Sequence, residues 1–107
     1  MAKIKEKTLC PVTATLQLIG GRWKTIILYT LTAGTRRFGE IGVRIPDISR
    51  KVLTEQLKEL EADGLILREQ FKEIPPRVEY SLTDLGKSLS SVIRELEIWG
   101  TENVLSN

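Results

Sequence analysis

The residues of this chain best suited to chemistry are hydrogen-bond donors that cluster between positions 46 and 82. Ser49, Arg50 and Lys51 stand together at the start of a predicted helix, and a hairpin that carries basic side chains and has two prolines at its tip follows that helix. Donors at a helix start, followed by a ribbon with basic side chains, can contact DNA in two grooves at once. The segment therefore points to nucleic-acid binding.

Residue types needed for catalysis or metal binding are scarce. The sequence has one cysteine and no histidine, so Ser-His-Asp and Cys-His schemes cannot be assembled and the usual zinc spacings are missing. Gly20-Gly21 is followed by Arg-Trp-Lys, which matches no phosphate-binding loop. We therefore predict no catalytic residue, no metal site and no cofactor, and we do not expect an enzyme.

Charge is distributed unevenly along the 107 residues, although the net charge is only +2. Residues 22–51 carry seven basic and two acidic side chains, whereas residues 59–107 carry five basic and ten acidic ones. Such segregation lets one face approach a polyanion while the other stays solvated. An ordinary mixed surface would have a similar composition, so charge alone does not separate the two interpretations.

Length and composition predict a single domain over residues 1–107. The first eight residues, MAKIKEKT, lack the apolar middle of a secretion signal, and no apolar run approaches the roughly 20 residues of a membrane span. We therefore expect a cytoplasmic protein without a membrane partner.

The elements that must position the donor cluster begin with three predicted helices, over residues 11–19, 23–31 and 38–45. Gly20-Gly21 ends the first and Pro46 stops the third. The second is apolar on nearly every side, so we expect it to be largely buried. The first carries an apolar stripe formed by Val12, Leu16 and Ile19.

The fourth predicted helix starts at an N-cap, Ser49, and ends at Gly64. An apolar stripe directs one side to the core, with Leu53, Leu57 and Leu60. The other sides present donors to a partner, namely Arg50, Lys51, Thr54 and Lys58. Strands at 65–71 and 77–82 with a tip at 72–76 then complete the outline of a winged helix-turn-helix, a mostly helical α+β fold.

A final helix is predicted after its cap, Thr83. Its apolar residues recur at alternating steps of four and three, at Leu85, Leu89, Val92, Leu96 and Trp99. This seam needs a second helix, which could be the first helix of the same chain or another copy of the protein. We favour a two-fold homodimer, with Leu16 and the five seam residues at its interface. Trp23 and Trp99 are expected to be core or interface anchors rather than base-stacking groups.

These motifs resemble the HxlR-type winged helix-turn-helix regulators, a branch of the MarR-like transcription factors. The markers are CPVTATLQLIGGRWK at 10–24, RRFGEI at 36–41, ISRKVLTEQLKELEADGLI at 48–66 and PPRVEYSLTDLG at 75–86. The resemblance covers nearly all of residues 10–100. It implies a homodimer built on the first and last helices, a recognition helix in the major groove, and a wing against the neighbouring minor groove or backbone.

The resemblance places the recognition helix at residues 49–63, with its base-contacting end formed by Ser49, Arg50, Lys51 and Thr54. Arginine or lysine there can donate to guanine O6 and N7; the alternative is that Arg50 and Lys51 are only solvated charges. Arg77 is expected in the minor groove, unless it forms a cross-strand ion pair with Glu69 or Glu73. Arg36 and Arg37 are expected to hold phosphate.

Cys10 precedes Pro11 at a predicted helix N-cap, where the helix dipole and Lys7 would favour a thiolate. Some members of the resembled family use a matching cysteine to sense oxidants or electrophiles, which implies a thiol switch; the alternative is a buried, inert thiol. Together these features predict a homodimeric DNA-binding transcriptional regulator, expected to be a repressor on a pseudo-palindromic operator, with a small-molecule effector as a further partner. A winged-helix module that binds protein rather than DNA is the alternative.

Overall fold

The fold is that of a winged helix-turn-helix, as the sequence predicts. The computed structural model describes residues 10–106. Its elements follow in the order α1 (Pro11–Ile19), α2 (Lys24–Leu31), β1 (Arg36–Arg37), α3 (Phe38–Arg44), α4 (Arg50–Ala62), β2 (Ile66–Phe71), β3 (Arg77–Leu82), α5 (Asp84–Lys87) and α6 (Ser90–Asn103). The three strands form one antiparallel sheet in the order β1-β3-β2.

Helix ends are set by the caps expected from the sequence. The Cys10 sulfur accepts a hydrogen bond from the Thr13 N–H at the start of α1, and Pro11 occupies the first turn. The Ser49 hydroxyl oxygen accepts from the Val52 N–H at 3.1 Å and caps α4. Gly64, with φ of 76°, follows α4 in a conformation that favours glycine.

The hydrophobic core lies between α2, α3, α4 and the sheet. The stripe predicted on α4 is buried, and the core is formed by Ile19, Ile27, Leu28, Leu31, Ile41, Ile45, Leu53, Leu57, Leu60, Leu65, Ile66, Tyr80 and Ile93. The second helix is less buried than predicted, because Ile26 and Tyr29 remain 41% and 44% exposed on one side of it. Trp23 is half-buried against the core, as expected of an anchor.

The prediction of one continuous final helix is wrong, because a turn at Ser88 and Leu89 separates α5 from α6. Gly86 lies so close to the Leu65 carbonyl that a Cβ atom there would be 2.1 Å from its oxygen. The Thr83 hydroxyl also donates to the Gly64 carbonyl at 2.6 Å. These contacts fix α5 against the start of β2, and α6 begins after the turn.

This break divides the predicted seam. Leu85 and Leu89 are half-buried and pack against the core of their own chain, and Ile93 of α6 is buried there as well. The later seam residues face outward and are exposed, namely Val92, Leu96 and Trp99. The seam is therefore two surfaces rather than one stripe.

Candidate nucleic-acid interface

The exposed side of α4 carries the donors predicted from the sequence. Arg50, Lys51, Thr54 and Lys58 are all exposed. The Thr54 hydroxyl donates to the Arg50 carbonyl at 2.8 Å, and its oxygen remains able to accept. Ser49 is exposed too, but its hydroxyl oxygen serves as the cap of the helix. Ser49 therefore has a structural task besides any contact to a partner.

Arg50 is oriented by an aromatic ring. Its guanidinium carbon lies 4.9 Å from the centre of the Phe38 ring, a cation–π distance. Phe38 opens α3 and is itself half-buried against the core. The helix-turn-helix consists of α3 and α4, and the first residue of α3 thus restricts the side chain of Arg50, the first residue of α4.

Arg36 and Arg37 do not act as a pair. They are consecutive in β1, so their side chains point to opposite faces of the sheet, Arg36 beside Tyr80 and Arg37 beside Glu79. The Arg36 Nε donates to the Thr30 carbonyl at 2.9 Å and ties β1 to the end of α2. Arg37 is exposed. Of the predicted phosphate contacts, only Arg37 has a side chain without a bond to the fold among residues 10–106.

Arg77 is engaged within the wing. Its guanidinium forms ion pairs with Glu73 at 2.7 Å and Glu79 at 3.2 Å, and its central carbon lies 4.0 Å from the centre of the Phe71 ring. The ion-pair alternative raised by the sequence therefore holds for Glu73, while Glu79 takes the place expected for Glu69. A free minor-groove arginine is not what the wing presents.

A cation that sequence reasoning missed, Arg68, lies beside α4. Cross-strand register places Arg68 opposite Tyr80 on the face of β2 that looks toward the helices. It lines a cleft of about 350 Å³ together with Phe38, Thr54, Lys58 and one carboxylate, Glu61. The alternation of Ile66, Arg68 and Gln70 along β2 is the signal that could have placed it on this face.

The cations around this cleft lack acidic partners. Within residues 10–106, ion pairs join Lys24 to Glu59 and Arg77 to Glu73 and Glu79. Eleven other cations have no carboxylate partner in that part of the chain. Five of them are exposed on α4 or on the strands beside it, namely Arg37, Arg50, Lys51, Lys58 and Arg68. We call these five residues the basic surface, and its charge is available to a polyanion.

A separate apolar surface is formed by α1 and α6. A groove of about 360 Å³ runs between them, and its neighbouring apolar side chains stay 45% to 69% exposed. They are Val12, Leu16, Val92, Leu96 and Trp99. We call this set the α1/α6 surface. Because α1 lies beside the exposed part of α6 without covering it, packing among residues 10–106 leaves this surface open.

Cys10 is exposed, so the interpretation of a buried, inert thiol is wrong. Its sulfur lies 2.8 Å from the Thr13 hydroxyl oxygen and 3.3 Å from the Thr13 nitrogen. Hydrogen bonds from the Thr13 hydroxyl, and next from its backbone N–H, lower the pKa of the Cys10 thiol. Lys7, which the sequence suggested as a further cause, lies outside the described residues.

A second groove, of about 360 Å³, separates α2 from α6. The Tyr29 hydroxyl donates to the Glu97 carboxylate at 2.7 Å on its wall, and this bond raises the pKa of Tyr29. The rest of the groove is largely apolar, with Ile26, Leu96 and Leu105. No helix within residues 10–106 has the length and apolar character needed to cross a membrane.

Comparison with known proteins places these surfaces in context. Residues 18–107 match the family model described as HxlR-like helix-turn-helix. The HTH-type transcriptional regulator YdeP of Bacillus subtilis (strain 168) is 52% identical over 91 residues, which cover 85% of this chain and 71% of that protein. Thus the sequence similarity extends through almost all of the described elements.

Solved structures agree with this assignment. The redox regulator HypR in its oxidized form matches with a TM-score of 0.85 and 46% identity, covering 88% of this chain and 97% of that one. A MarR-family transcriptional regulator from Porphyromonas gingivalis W83 matches with a TM-score of 0.87 and 41% identity, covering 95% and 99%. The chain therefore belongs to the HxlR-like helix-turn-helix family of transcriptional regulators.

Proposed function

We propose that the protein is a sequence-specific, DNA-binding transcriptional regulator that acts as a homodimer. The observation that carries the proposal is the basic surface around α4, five cations without carboxylate partners among residues 10–106. Positive charge in the first turn of a helix is disfavoured by the helix dipole, so the charges of Arg50 and Lys51 gain nothing from the dipole of α4. A negatively charged partner accounts for both.

Each part of the basic surface suits a different DNA contact. Arg50 and Lys51, at the exposed start of α4, can donate to guanine O6 and N7 when that helix end enters the major groove. Lys58 and Arg68, on opposite walls of the cleft, and Arg37 on β1 suit the phosphates beside it. Base contacts would set the sequence preference and phosphate contacts most of the affinity.

The α1/α6 surface suits a second copy of the chain. A two-fold axis would bury Leu16, Leu96 and Trp99 against their counterparts and place two α4 helices on one side of the dimer. The operator would then be pseudo-palindromic, with half-sites about one helical turn apart. Bound over a promoter in the cytoplasm, such a dimer would exclude RNA polymerase and act as a repressor.

Regulation through oxidation or alkylation of Cys10 is a second property that one observation favours. The one thiol of the chain, Cys10, is exposed and its pKa is lowered, which favours the thiolate that reacts with oxidants and electrophiles. The structural relative HypR is a redox regulator with both oxidized and reduced forms. With a single cysteine, a two-electron oxidant such as a peroxide would convert two thiols to a disulfide, either between the two Cys10 residues of a dimer or between Cys10 and a small thiol. An electrophile would instead alkylate the Cys10 thiolate and release the thiol proton.

A small-molecule effector would find room in the groove between α2 and α6. That groove combines apolar walls with the polar pair Tyr29 and Glu97. A compound bound there would contact α6, which carries the α1/α6 surface, and α2 of the core. It could therefore change the spacing of the two α4 helices.

Fluorescence anisotropy tests the DNA-binding proposal. The purified protein is titrated into duplexes that tile the DNA around its own gene and into a scrambled duplex, over a series of salt concentrations. Tight binding to one native duplex, with an affinity that falls steeply as salt rises, is the expected result. Failure to bind any duplex at low salt would reject the proposal in favour of a protein-interaction module.

A further inference from the structure

The tip of the wing, residues 72–76, presents an apolar side chain that is not packed against the core. Ile74 is fully exposed, and Pro75 and Pro76 beside it are exposed as well. At this exposure the isoleucine packs against none of residues 10–106. Its side chain is therefore free for a partner.

The cation nearest the tip is not free. Arg77 pairs with Glu73 and Glu79 and stacks on Phe71, so it closes the base of the tip and neutralises Glu73. What remains at the end of the hairpin is Ile74 with its two prolines and Lys72. The wing thus ends in exposed apolar side chains, and the ion pairs of Arg77 hold the residues on either side of them in place.

The hairpin also carries these side chains away from the core. Register runs from Ile66 opposite Leu82, next to the core, to Phe71 opposite Arg77 at the far end. Strands of six residues extend roughly 17–20 Å. Half a turn of B-DNA, which separates a major groove from the next minor groove, is about 17 Å. With α4 in the major groove, the tip can reach the adjacent minor groove.

We propose that Ile74 is an apolar wedge that enters the minor groove beside each half-site and presses against a flexible base step. This inference rests on the proposed DNA-binding function. Isoleucine and proline are side chains that proteins insert between base steps from the minor groove, which bends the duplex toward the major groove. Pyrimidine–purine steps are the ones most easily opened, so the wedge favours TA or CA at that position without a hydrogen bond.

An apolar wedge has a signature that a phosphate contact lacks. Affinity gained through phosphate contacts depends on salt, since each neutralised phosphate releases counterions. Contact of Ile74 with a base step releases none, so its loss lowers affinity at every salt concentration by the same factor. DNA bending should fall in parallel.

The experiment compares wild type with Ile74→Ala, Lys72→Ala and Leu67→Ala on the specific duplex. Leu67 is an exposed apolar residue at the other end of β2 and serves as the control. Anisotropy gives affinity and salt slope, and energy transfer between dyes on the duplex ends gives the bend. We expect Ile74→Ala to lose about ten-fold in affinity with an unchanged salt slope and a smaller bend. Lys72→Ala should reduce the salt slope, and Leu67→Ala should change neither quantity.

A change in the DNA completes the test. Replacing the flexible step at the wing position by a purine–purine step should weaken wild type but leave Ile74→Ala unaffected. If Ile74→Ala binds and bends the specific duplex as wild type does, the wedge is rejected while the proposed function stands. If wild type itself prefers no duplex, the proposed function fails and the wedge with it.

Discussion

The guanidinium carbon of Arg50 lies 4.9 Å from the centre of the Phe38 ring, so the first residue of α4 rests on the first residue of α3. A long, exposed arginine loses conformational freedom when it binds, and a ring that already restricts it lowers that cost. Phe38 in turn is held by the core. The contact therefore restricts Arg50 before a partner binds, whereas an arginine that is only solvated would have to be ordered on binding.

Arg50→Ala is expected to weaken binding to the specific duplex by about 1–3 kcal/mol and to relax the preference at the base it contacts. Loss of a bidentate donor to guanine affects the correct base more than others, so binding to a scrambled duplex should change less. Anisotropy on both duplexes measures this. Arg94→Ala, which removes an exposed arginine from α6, is the matched control; equal losses in the two variants would reject Arg50 as a base contact.

Phe38→Leu is expected to reduce affinity for the specific duplex by about 0.5–1 kcal/mol, because leucine preserves apolar packing but removes the cation–π contact. The effect should disappear when Arg50 is already alanine, which a double-mutant cycle detects as coupling. Thermal unfolding of each variant shows whether packing is intact. Independent, additive losses would mean that Phe38 acts through the fold and not through Arg50.

Arg37→Ala and Arg36→Ala should have different effects, the first on DNA binding and the second on stability, although the two residues are adjacent. Arg37 is exposed on β1, so its loss should weaken all duplexes alike and reduce the salt slope by about 0.9 for each of the two copies in the homodimer. Arg36 donates to the Thr30 carbonyl, so its loss should lower the free energy of unfolding by about 1 kcal/mol. Anisotropy over a salt series and chemical denaturation measure the two effects. A stable Arg36→Ala protein with a reduced salt slope would restore Arg36 to the DNA contacts.

Features of this fold that depend on neighbours in sequence could be predicted from it. The caps at Cys10 and Ser49, the end at Gly64 and the buried stripe of α4 follow from short spacings. The same is true of the hairpin, since the alternation in β3 is a local pattern.

Features that depend on contacts between distant segments were missed. The short α5, which ends before a turn, lies where Gly86 approaches Leu65, twenty-one positions earlier in the chain. The position of Arg68 beside α4 requires strand register and helix placement together. The partners of Arg77 likewise include Glu79, which no charge count singles out. Periodicity predicts which side of each helix is apolar, but it does not predict which segment packs against that side.

Leu96→Asp and Leu89→Asp should have different effects, since the seam is divided. Leu96 is exposed on the α1/α6 surface, so a charge there should disrupt the homodimer and leave a folded monomer. Leu89 packs against the core, so a charge there should lower the free energy of unfolding by about 2 kcal/mol or more. Sedimentation and denaturation measure these results, and a Leu96→Asp dimer would place the interface elsewhere.

Cys10 should react with maleimide at a rate that rises through a midpoint below the ordinary pKa of a thiol. The thiolate is the reactive form, and hydrogen bonds from Thr13 stabilise it, so it persists to lower pH. Thr13→Ala removes the hydroxyl donor, the largest cause, and keeps the backbone N–H. Its midpoint should therefore move to higher pH, and labelling at neutral pH should slow.

Thr15→Ala is the matched control for this change, because the Thr15 hydroxyl donates to the Pro11 carbonyl rather than to the sulfur. Its rate profile against pH should coincide with that of wild type. Stopped-flow labelling over a pH series distinguishes the three proteins. If Thr13→Ala and Thr15→Ala share one midpoint with wild type, Thr13 does not tune the thiol, and the proposed thiol response loses the contact on which its reactivity depends.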